Sequence, residues 1–286
     1  MNQPRIHIGW YASGDCIAAI ISWIIFYFVR KYIIEEAFIV GPKFYTGIIL
    51  FPVTWLIVYY LVGTYRMLYQ KSRLIEFFNT AIYTFFVSIL ILFVFLLYDV
   101  TGDIDIYYQE FISLWGIQTI ITFSVRLLFL NSAKKQLNKG TVFFNTLIIG
   151  SSNKAANLYN SIATNEEKTG YRVAGFANTN GNSGSSLPDG IINLGRADEM
   201  DTIISEHKIE EVIIAVEKKE RDQIEKILQQ LSDHAVNIKL TADTVDIISG
   251  SVKTNNVLGT PLIELQSGLM PLWQQNIKRL LDITAS

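Results

Sequence analysis

Charge is scarce in this chain. Asp, Glu, Lys and Arg make up 17% of its 286 residues, while half of the residues are hydrophobic. A soluble domain usually carries about a quarter charged residues, so a wholly water-soluble protein is not expected. There is no basic excess: 24 Lys and Arg against 26 Asp and Glu leave a net charge of −2. That balance lacks the electrostatic footprint of a nucleic-acid binder, and no nucleic-acid partner is expected. Cysteine occurs once, at Cys16, within an apolar run. It can form no intramolecular disulfide and reads as a small packing residue. The three histidines, His7, His207 and His234, lie far apart and lack metal-ligand spacing; the latter two fall near the ends of expected helices, where a partly charged imidazole suits the helix dipole. Neither G-x-S-x-G, H-E-x-x-H nor a Walker loop occurs. No carboxylates look paired, and Glu210 and Glu211, just ahead of an apolar run, read as solvated. No catalytic and no metal-binding residue is nominated.

The apolar content sits almost wholly before residue 131, and the remainder of the chain has the composition of a soluble domain. Two parts are expected, one in a membrane and one in water. Four apolar runs, at about 10–29, 45–62, 77–98 and 111–130, reach the ~20 residues a helix needs to span a bilayer. The first begins too late and runs too long for a cleaved signal. Pro52 lies within the second, a position that membrane helices tolerate.

The loops orient the spans. Arg66, Lys71 and Arg73, with Glu76, lie between the second and third runs. Asp99, Asp103, Asp105 and Glu110, without a Lys or Arg, lie between the third and fourth, and Lys134, Lys135 and Lys139 come after the fourth. Basic residues favour the cytoplasmic side, so the N-terminus and everything after residue 130 are expected inside. Arg30, Lys31 and Lys43 in the first loop run against this, with Glu35 and Glu36 beside them. Within the spans, Asp15 of the first and Arg126 of the fourth come to similar depth in the inner leaflet. A lone charge in hydrocarbon costs about 2.5–3.5 kcal/mol, which favours a pair; the alternative is that each reaches separately for the interface.

From residue 141 the pattern changes. "TVFFNTLIIG", "YRVAGFAN", "EVIIAV" and "VNIKL" read as buried strands and "INLG" as a short one; "SSNKAANLYNSIAT", "RADEMDTIISEHK" and "KKERDQIEKILQQLSDHA" read as helices. In the last helix Ile224, Ile227, Leu228 and Leu231 form one apolar face. Strand and helix in alternation predict a Rossmann-like parallel sheet of about five strands covered by helices. "VLGTPLIELQ" then reads as an extended segment or a hairpin.

The first strand-to-helix turn is where dinucleotide phosphates would sit. Its three fingerprint positions hold Gly150, Ser152 and Ala155, with serine in place of the middle glycine. Ser151 and Ser152 suit a helix cap, and Lys154 adds positive charge to the free N–H groups of the helix start. Asn178 stands at the end of the second strand, where an acidic residue would hold ribose hydroxyls. Gly150, Ser151, Ser152, Lys154 and Asn178 are therefore the candidate cofactor-binding residues. Three readings stay open: a dinucleotide site, a site for a smaller anion, and a domain that keeps only the fold.

The chain as a whole resembles the N-terminal portion of the polyprenyl-phosphate sugar-1-phosphate transferases, the large polytopic phosphoglycosyltransferases. The resemblance is carried by four spans with "GTYRMLYQKSRLIEF" between the second and third, then "NTLIIGSSNKAANLYNSI", "GYRVAGFANTNG", "EVIIAV", "VLGTPLIEL" and "PLWQQNIKRLLDITAS". It implies a multi-pass protein of the bacterial inner membrane, with partners in the bilayer, polyprenyl (undecaprenyl) phosphate and a nucleotide sugar. The activity implied is the first step of capsule, exopolysaccharide or O-antigen synthesis. It divides the chain into a four-helix membrane domain at 1–133, a cytoplasmic CoA-binding-like Rossmann domain at 141–265, and the start of a membrane-associated catalytic region at 266–286. In that family the catalytic domain, with an Asp–Glu pair and Mg²⁺, begins at this last segment. The chain therefore reads as a member truncated before its catalytic domain, inactive alone and needing no cofactor of its own, with a homodimer possible. Two alternatives are the front part of a membrane-bound nucleotide-sugar dehydratase or epimerase, and a stand-alone membrane-anchored interaction module. The basic and apolar residues of "NIKRLLDI" favour the transferase.

Overall fold

The computed structural model describes residues 4–98, 104–150, 153–164, 170–178, 192–196, 199–216, 221–232, 234, 236–241, 254–257, 260–265 and 274. Expectations that rest on Asp99, Asp103, Ser151, Ser152, the polar loop after Asn178 and, apart from Gln274, the segment 266–286 lie outside them. The chain forms two compact units, with Arg5–Lys135 in one and Gln136–Met270 in the other.

The first unit is built from four helices, α1 (Ile8–Ile33), α2 (Pro42–Leu61), α3 (Arg73–Tyr98) and α4 (Ile104–Asn138). Each contains a stretch long and apolar enough to cross a membrane. Their burial is inverted relative to a soluble bundle. Asp15, Ser22, Thr80, Thr84, Ser88, Gln118, Thr122 and Arg126 are buried, whereas Ile17, Ile21, Ile25, Ile49, Leu50, Phe86 and Leu90 are exposed. In water so much exposed apolar surface would drive association; against lipid tails it is the ordinary outer face, and the polar groups must find partners inside.

Several do so within a helix or across helix pairs, whereas the Ser88 hydroxyl and Gln118 Oε1 have no partner among the described residues. His7 caps α1, its Nδ1 accepting from the Gly9 N–H at 3.0 Å. Pro42 opens α2 at a position whose missing N–H costs nothing. The Trp23 indole of α1 lies across Gly47 of α2 so closely that any side chain there would overlap the ring, and its Nε1 donates to the Phe44 carbonyl at 3.0 Å. Trp115 of α4 donates to the Ala81 carbonyl of α3 at 3.0 Å, and the Thr84 and Thr119 hydroxyls meet at 2.6 Å.

α4 begins seven residues before the expected fourth apolar run and ends eight after it, 35 residues in all. Glu110 is therefore a helical residue and not part of a loop, and so is Glu76, in the first turn of α3.

The second unit is a seven-stranded sheet with helices on both faces. Its strands are β1 (Phe144–Ile149), β2 (Tyr171–Asn178), β3 (Asn193–Arg196), β4 (Glu211–Ile214), β5 (Asn237–Thr241), β6 (Thr254–Val257) and β7 (Thr260–Leu265); its helices are α5 (Asn153–Ala163), α6 (Met200–His207) and α7 (Arg221–Leu231). The order is β3-β2-β1-β4-β5-β7-β6. β1 to β5 are mutually parallel, while β7 adds antiparallel to β5 and β6 to β7. The segment read as extended or hairpin is thus a hairpin that covers the β5 edge.

Alternation along β1 explains the two layers of helix. Leu147 and Ile149 pack on one face with Ile203 and Ile204 of α6 and Ile227 and Leu231 of α7. Ile148 packs on the other with Ala155, Leu158 and Ile162 of α5. A strand buried on both faces reads as a continuous apolar run, which is what "TLIIG" is. Four spans followed by a Rossmann-like sheet, the fold class read from the sequence, is the architecture found.

Candidate functional site

The strand order reverses between β1 and β4. In open α/β sheets the crevice beyond the carboxyl ends of the strands at such a reversal is where ligands bind. Gly150 follows β1 directly. Its N–H donates to the Ala177 carbonyl of β2 at 3.0 Å, and the Ala215 N–H beyond β4 donates to Ile149 at 2.8 Å. Gly150 has φ +135°, and a Cβ there would strike the Ala215 carbonyl oxygen. Only glycine fits so close to the neighbouring strand in that conformation.

Ala155, the third fingerprint position, is fully buried and packs α5 onto the sheet. Lys154 lies in the first turn of α5, half-buried. Asn178 is the last residue of β2, only 4% exposed, and its Oδ1 has no hydrogen-bond partner among the described residues. Gly150, Lys154 and Asn178 thus converge on one edge of the sheet; Ser151 and Ser152 lie outside the described residues. Sequence reasoning missed Arg196, the register partner of Asn178 on β3. The signal was available in the arginine that ends "INLGR".

Glu211 corrects the sequence reading. It is not solvated but fully buried. Its carboxylate meets Lys239 Nζ at 3.0 Å and accepts from Asn237 Nδ2 at 2.8 Å. Lys239 also donates to the Tyr171 hydroxyl at 2.6 Å. Burial pulls the Lys239 ammonium down, and Tyr171 and Glu211 more than offset it, so its pKa is raised above the ordinary value. Tyr171 and Glu211 open their strands, so this cluster sits at the amino ends, away from the Gly150 turn. It joins β2, β4 and β5 and reads as an internal fastening of the sheet.

The helical unit holds a second ionic cluster. Arg126 grips Asp15 with both prongs, Nε to Oδ1 at 2.9 Å and Nη2 to Oδ2 at 2.8 Å. Its Nη1 reaches Glu76 Oε1 at 3.1 Å and Thr80 Oγ1 at 3.0 Å. The Tyr11 hydroxyl donates to the same Glu76 oxygen at 3.1 Å, and Lys71 Nζ lies 3.0 Å from the other. The expected Asp15–Arg126 pair exists, inside a larger neutral set of two cations and two carboxylates. The sequence reading placed no two carboxylates together, yet Asp15 and Glu76 converge on one guanidinium. These carboxylates do not fit the Mg²⁺ chemistry of the resembled family, because Arg126 and Lys71 already neutralise them. Among the described residues no group of three or more His, Cys, Asp or Glu could hold a metal.

A family model described as a CoA-binding domain matches residues 60–242. The chain belongs to the CoA-binding domain family. The match begins at the end of α2 and runs through β5, so in this family member it takes in α3 and α4 as well as β1 to β5, and leaves out β6 and β7. Comparison with curated proteins gave no match. Among solved structures, this CoA-binding domain protein is similar to the UDP-D-quinovosamine 4-dehydrogenase from Vibrio fischeri, at 20% identity and a TM-score of 0.35, over 46% of this chain and 99% of that one. It is also similar to RSP, a Rex-family repressor, at 18% identity and a TM-score of 0.32, over 44% of this chain and 65% of that one.

Proposed function

We propose that this chain is the membrane scaffold and accessory domain of a polyprenyl-phosphate sugar-1-phosphate transferase of the bacterial cytoplasmic membrane. The observation that carries the reading is the place of the "GTYRMLYQKSRLIEF" segment. Its Glu76 pairs with Lys71 of the same segment and with Arg126, which in turn pairs with Asp15. The stretch that bears the resemblance is thus a structural member of the bundle, and its basic residues belong to the inner end together with Lys134 and Lys135. Arg30 of α1 and buried Glu110 of α4 pair at 2.8 Å toward the opposite end. The two pairs make α1 and α4 antiparallel neighbours, as four alternating spans with the N-terminus and sheet domain inside would have them.

In this reading the bundle holds the sheet domain at the inner surface, where a soluble nucleotide sugar and a lipid phosphate can meet. The transfer step and its Mg²⁺ belong to the catalytic domain of the resembled family, and no step is assigned to the residues here. The family description names CoA, and we carry a ligand of that kind, a nucleotide at the Gly150 turn, to this chain as part of the proposal.

The test is made in the native host. Membranes lacking the gene should fail to move radiolabelled sugar phosphate from a nucleotide sugar into extractable polyprenyl lipid, and the gene on a plasmid should restore it. Parental labelling in the deletion strain overturns the reading. Conversion of the nucleotide sugar to a 4-keto-6-deoxy sugar, lost with the gene, would put the dehydratase in its place.

A further inference from the structure

The loop between α1 and α2 turns apolar side chains outward. Phe38 is 62% exposed, Ile39 69% and Val40 41%. At the same end of the bundle, Tyr32 in the last turn of α1, Tyr45 in the first turn of α2 and Tyr108 near the start of α4 are exposed as well. Tyr and Trp gather where a bilayer meets water. Trp10, at the opposite end of α1, is exposed too. At 1.5 Å per residue, α1 rises about 33 Å from Trp10 to Tyr32, close to the ~30 Å thickness of the hydrocarbon core. The two aromatic residues therefore mark the two interfaces, and the loop begins at the depth of the second one.

Charge in this stretch is folded back on the bundle. Arg30 pairs with buried Glu110 at 2.8 Å. Lys31 Nζ lies 3.2 Å from Glu36 Oε2 and donates to the Ala37 carbonyl at 3.0 Å. The loop backbone is held in the same manner. The buried Tyr27 of α1 donates its hydroxyl to the Ile39 carbonyl and accepts from the Gly41 N–H, both at 3.3 Å. Its ring packs edge-on against Phe44 of α2, with centroids 4.9 Å apart, so both helices fix that hydroxyl. The Ile39 N–H donates to the Ala37 carbonyl at 2.7 Å. Irregular backbone near hydrocarbon must find its hydrogen bonds inside the protein. In water the same loop would have no use for that hydroxyl, and three successive exposed apolar side chains would be unfavourable there. Glu35 and Glu36, exposed on the turn before them, are placed to stay among the headgroups.

We propose that the α1–α2 loop is an interfacial anchor, with Phe38, Ile39 and Val40 inserted at the boundary between lipid headgroups and acyl chains. Such insertion needs only a shallow apolar surface with its polar groups turned away. The loop continues the lipid-facing surface of the bundle through Tyr32 and Tyr45, so its partner is the lipid surface itself. The assignment holds for either orientation of the bundle and is independent of the transferase reading.

The test uses the full chain carrying Cys16→Ala in lipid nanodiscs, both faces of which are open to solutes. A polarity-sensitive dye on Ile39→Cys should emit to the blue of the same dye on Glu206→Cys, an exposed site on α6. Dissolved iodide should quench it several-fold less than at position 206. Lipid spin-labelled next to the headgroup should quench it more than lipid labelled at the chain end. That order should reverse for Ile21→Cys, an exposed position midway along α1. Equal iodide quenching at positions 39 and 206 would put the loop in water and overturn the proposal. Protection from iodide and from both lipid labels would mean that a second copy of the chain covers the loop, which overturns it as well.

Discussion

Arg126 and Asp15, 111 residues apart in sequence, form a two-pronged ion pair in which neither side chain is more than 1% exposed. Such a pair is retained because either charge alone would be worse. Removing one partner of a buried pair costs about 3–5 kcal/mol. Arg126→Gln leaves Asp15 and Glu76 facing one remaining cation, Lys71. It should lower the thermal midpoint of the detergent-solubilised chain sharply. Adding Asp15→Asn restores charge balance, so the double variant should be more stable than Arg126→Gln alone. A double variant as unstable as the two single effects summed would show that the charges do not act together.

The proposed topology places position 134 inside and position 43 outside. In a Cys16→Ala background, a membrane-impermeant maleimide applied to intact cells should label Lys43→Cys and spare Lys134→Cys, and permeabilised cells should label both. Labelling of position 134 in intact cells would reverse the bundle.

Gly150 at φ +135° should not tolerate even one added carbon. Gly150→Ala combines a disfavoured backbone conformation, about 1–3 kcal/mol, with a clash against a carbonyl that β4 cannot easily move. Hydrogen exchange of β1 and β4 peptides should speed up correspondingly, while α1 to α4 exchange as before. Unchanged protection in β1 would mean that the turn relaxes freely.

Local pattern carried most of the fold. Spans of about 20 apolar residues and a short continuous apolar run such as "TLII" need no knowledge of what lies across from them. Depth in a bilayer can also be counted along a helix, which is why the Asp15–Arg126 pair was legible. What escaped was charge whose partner is distant. Glu76 lies in the first turn of α3, where an acid is expected from the helix dipole alone; that it turns inward depends on Arg126, 50 residues on. Glu211 precedes apolar residues and looks wet until Lys239 of the neighbouring β5 is laid beside it. Arg196 acquires meaning only from its register opposite Asn178. Pairings across a sheet or between helices decide these sites, and no short stretch of sequence records them.

The Lys239 cluster makes the sheet unit sensitive to alkali. The Lys239 pKa is raised above its ordinary value, burial opposing and Tyr171 and Glu211 prevailing. A folded-state pKa above the unfolded one means that the native state holds the proton more tightly. The resulting stabilisation is fully present below about pH 10.4, the value for an unfolded lysine, and is lost as pH rises beyond it through the folded value. Exchange protection of β2, β4 and β5 should therefore fall above that pH after correction for the intrinsic rate. Lys239→Met removes the proton-binding group and should flatten this dependence. It leaves Glu211 buried without its cation, so the variant should also be less stable at pH 7; adding Glu211→Gln, whose amide still accepts from Asn237, should recover part of that loss. An alkaline decline of equal slope in Lys239→Met would assign it to other groups.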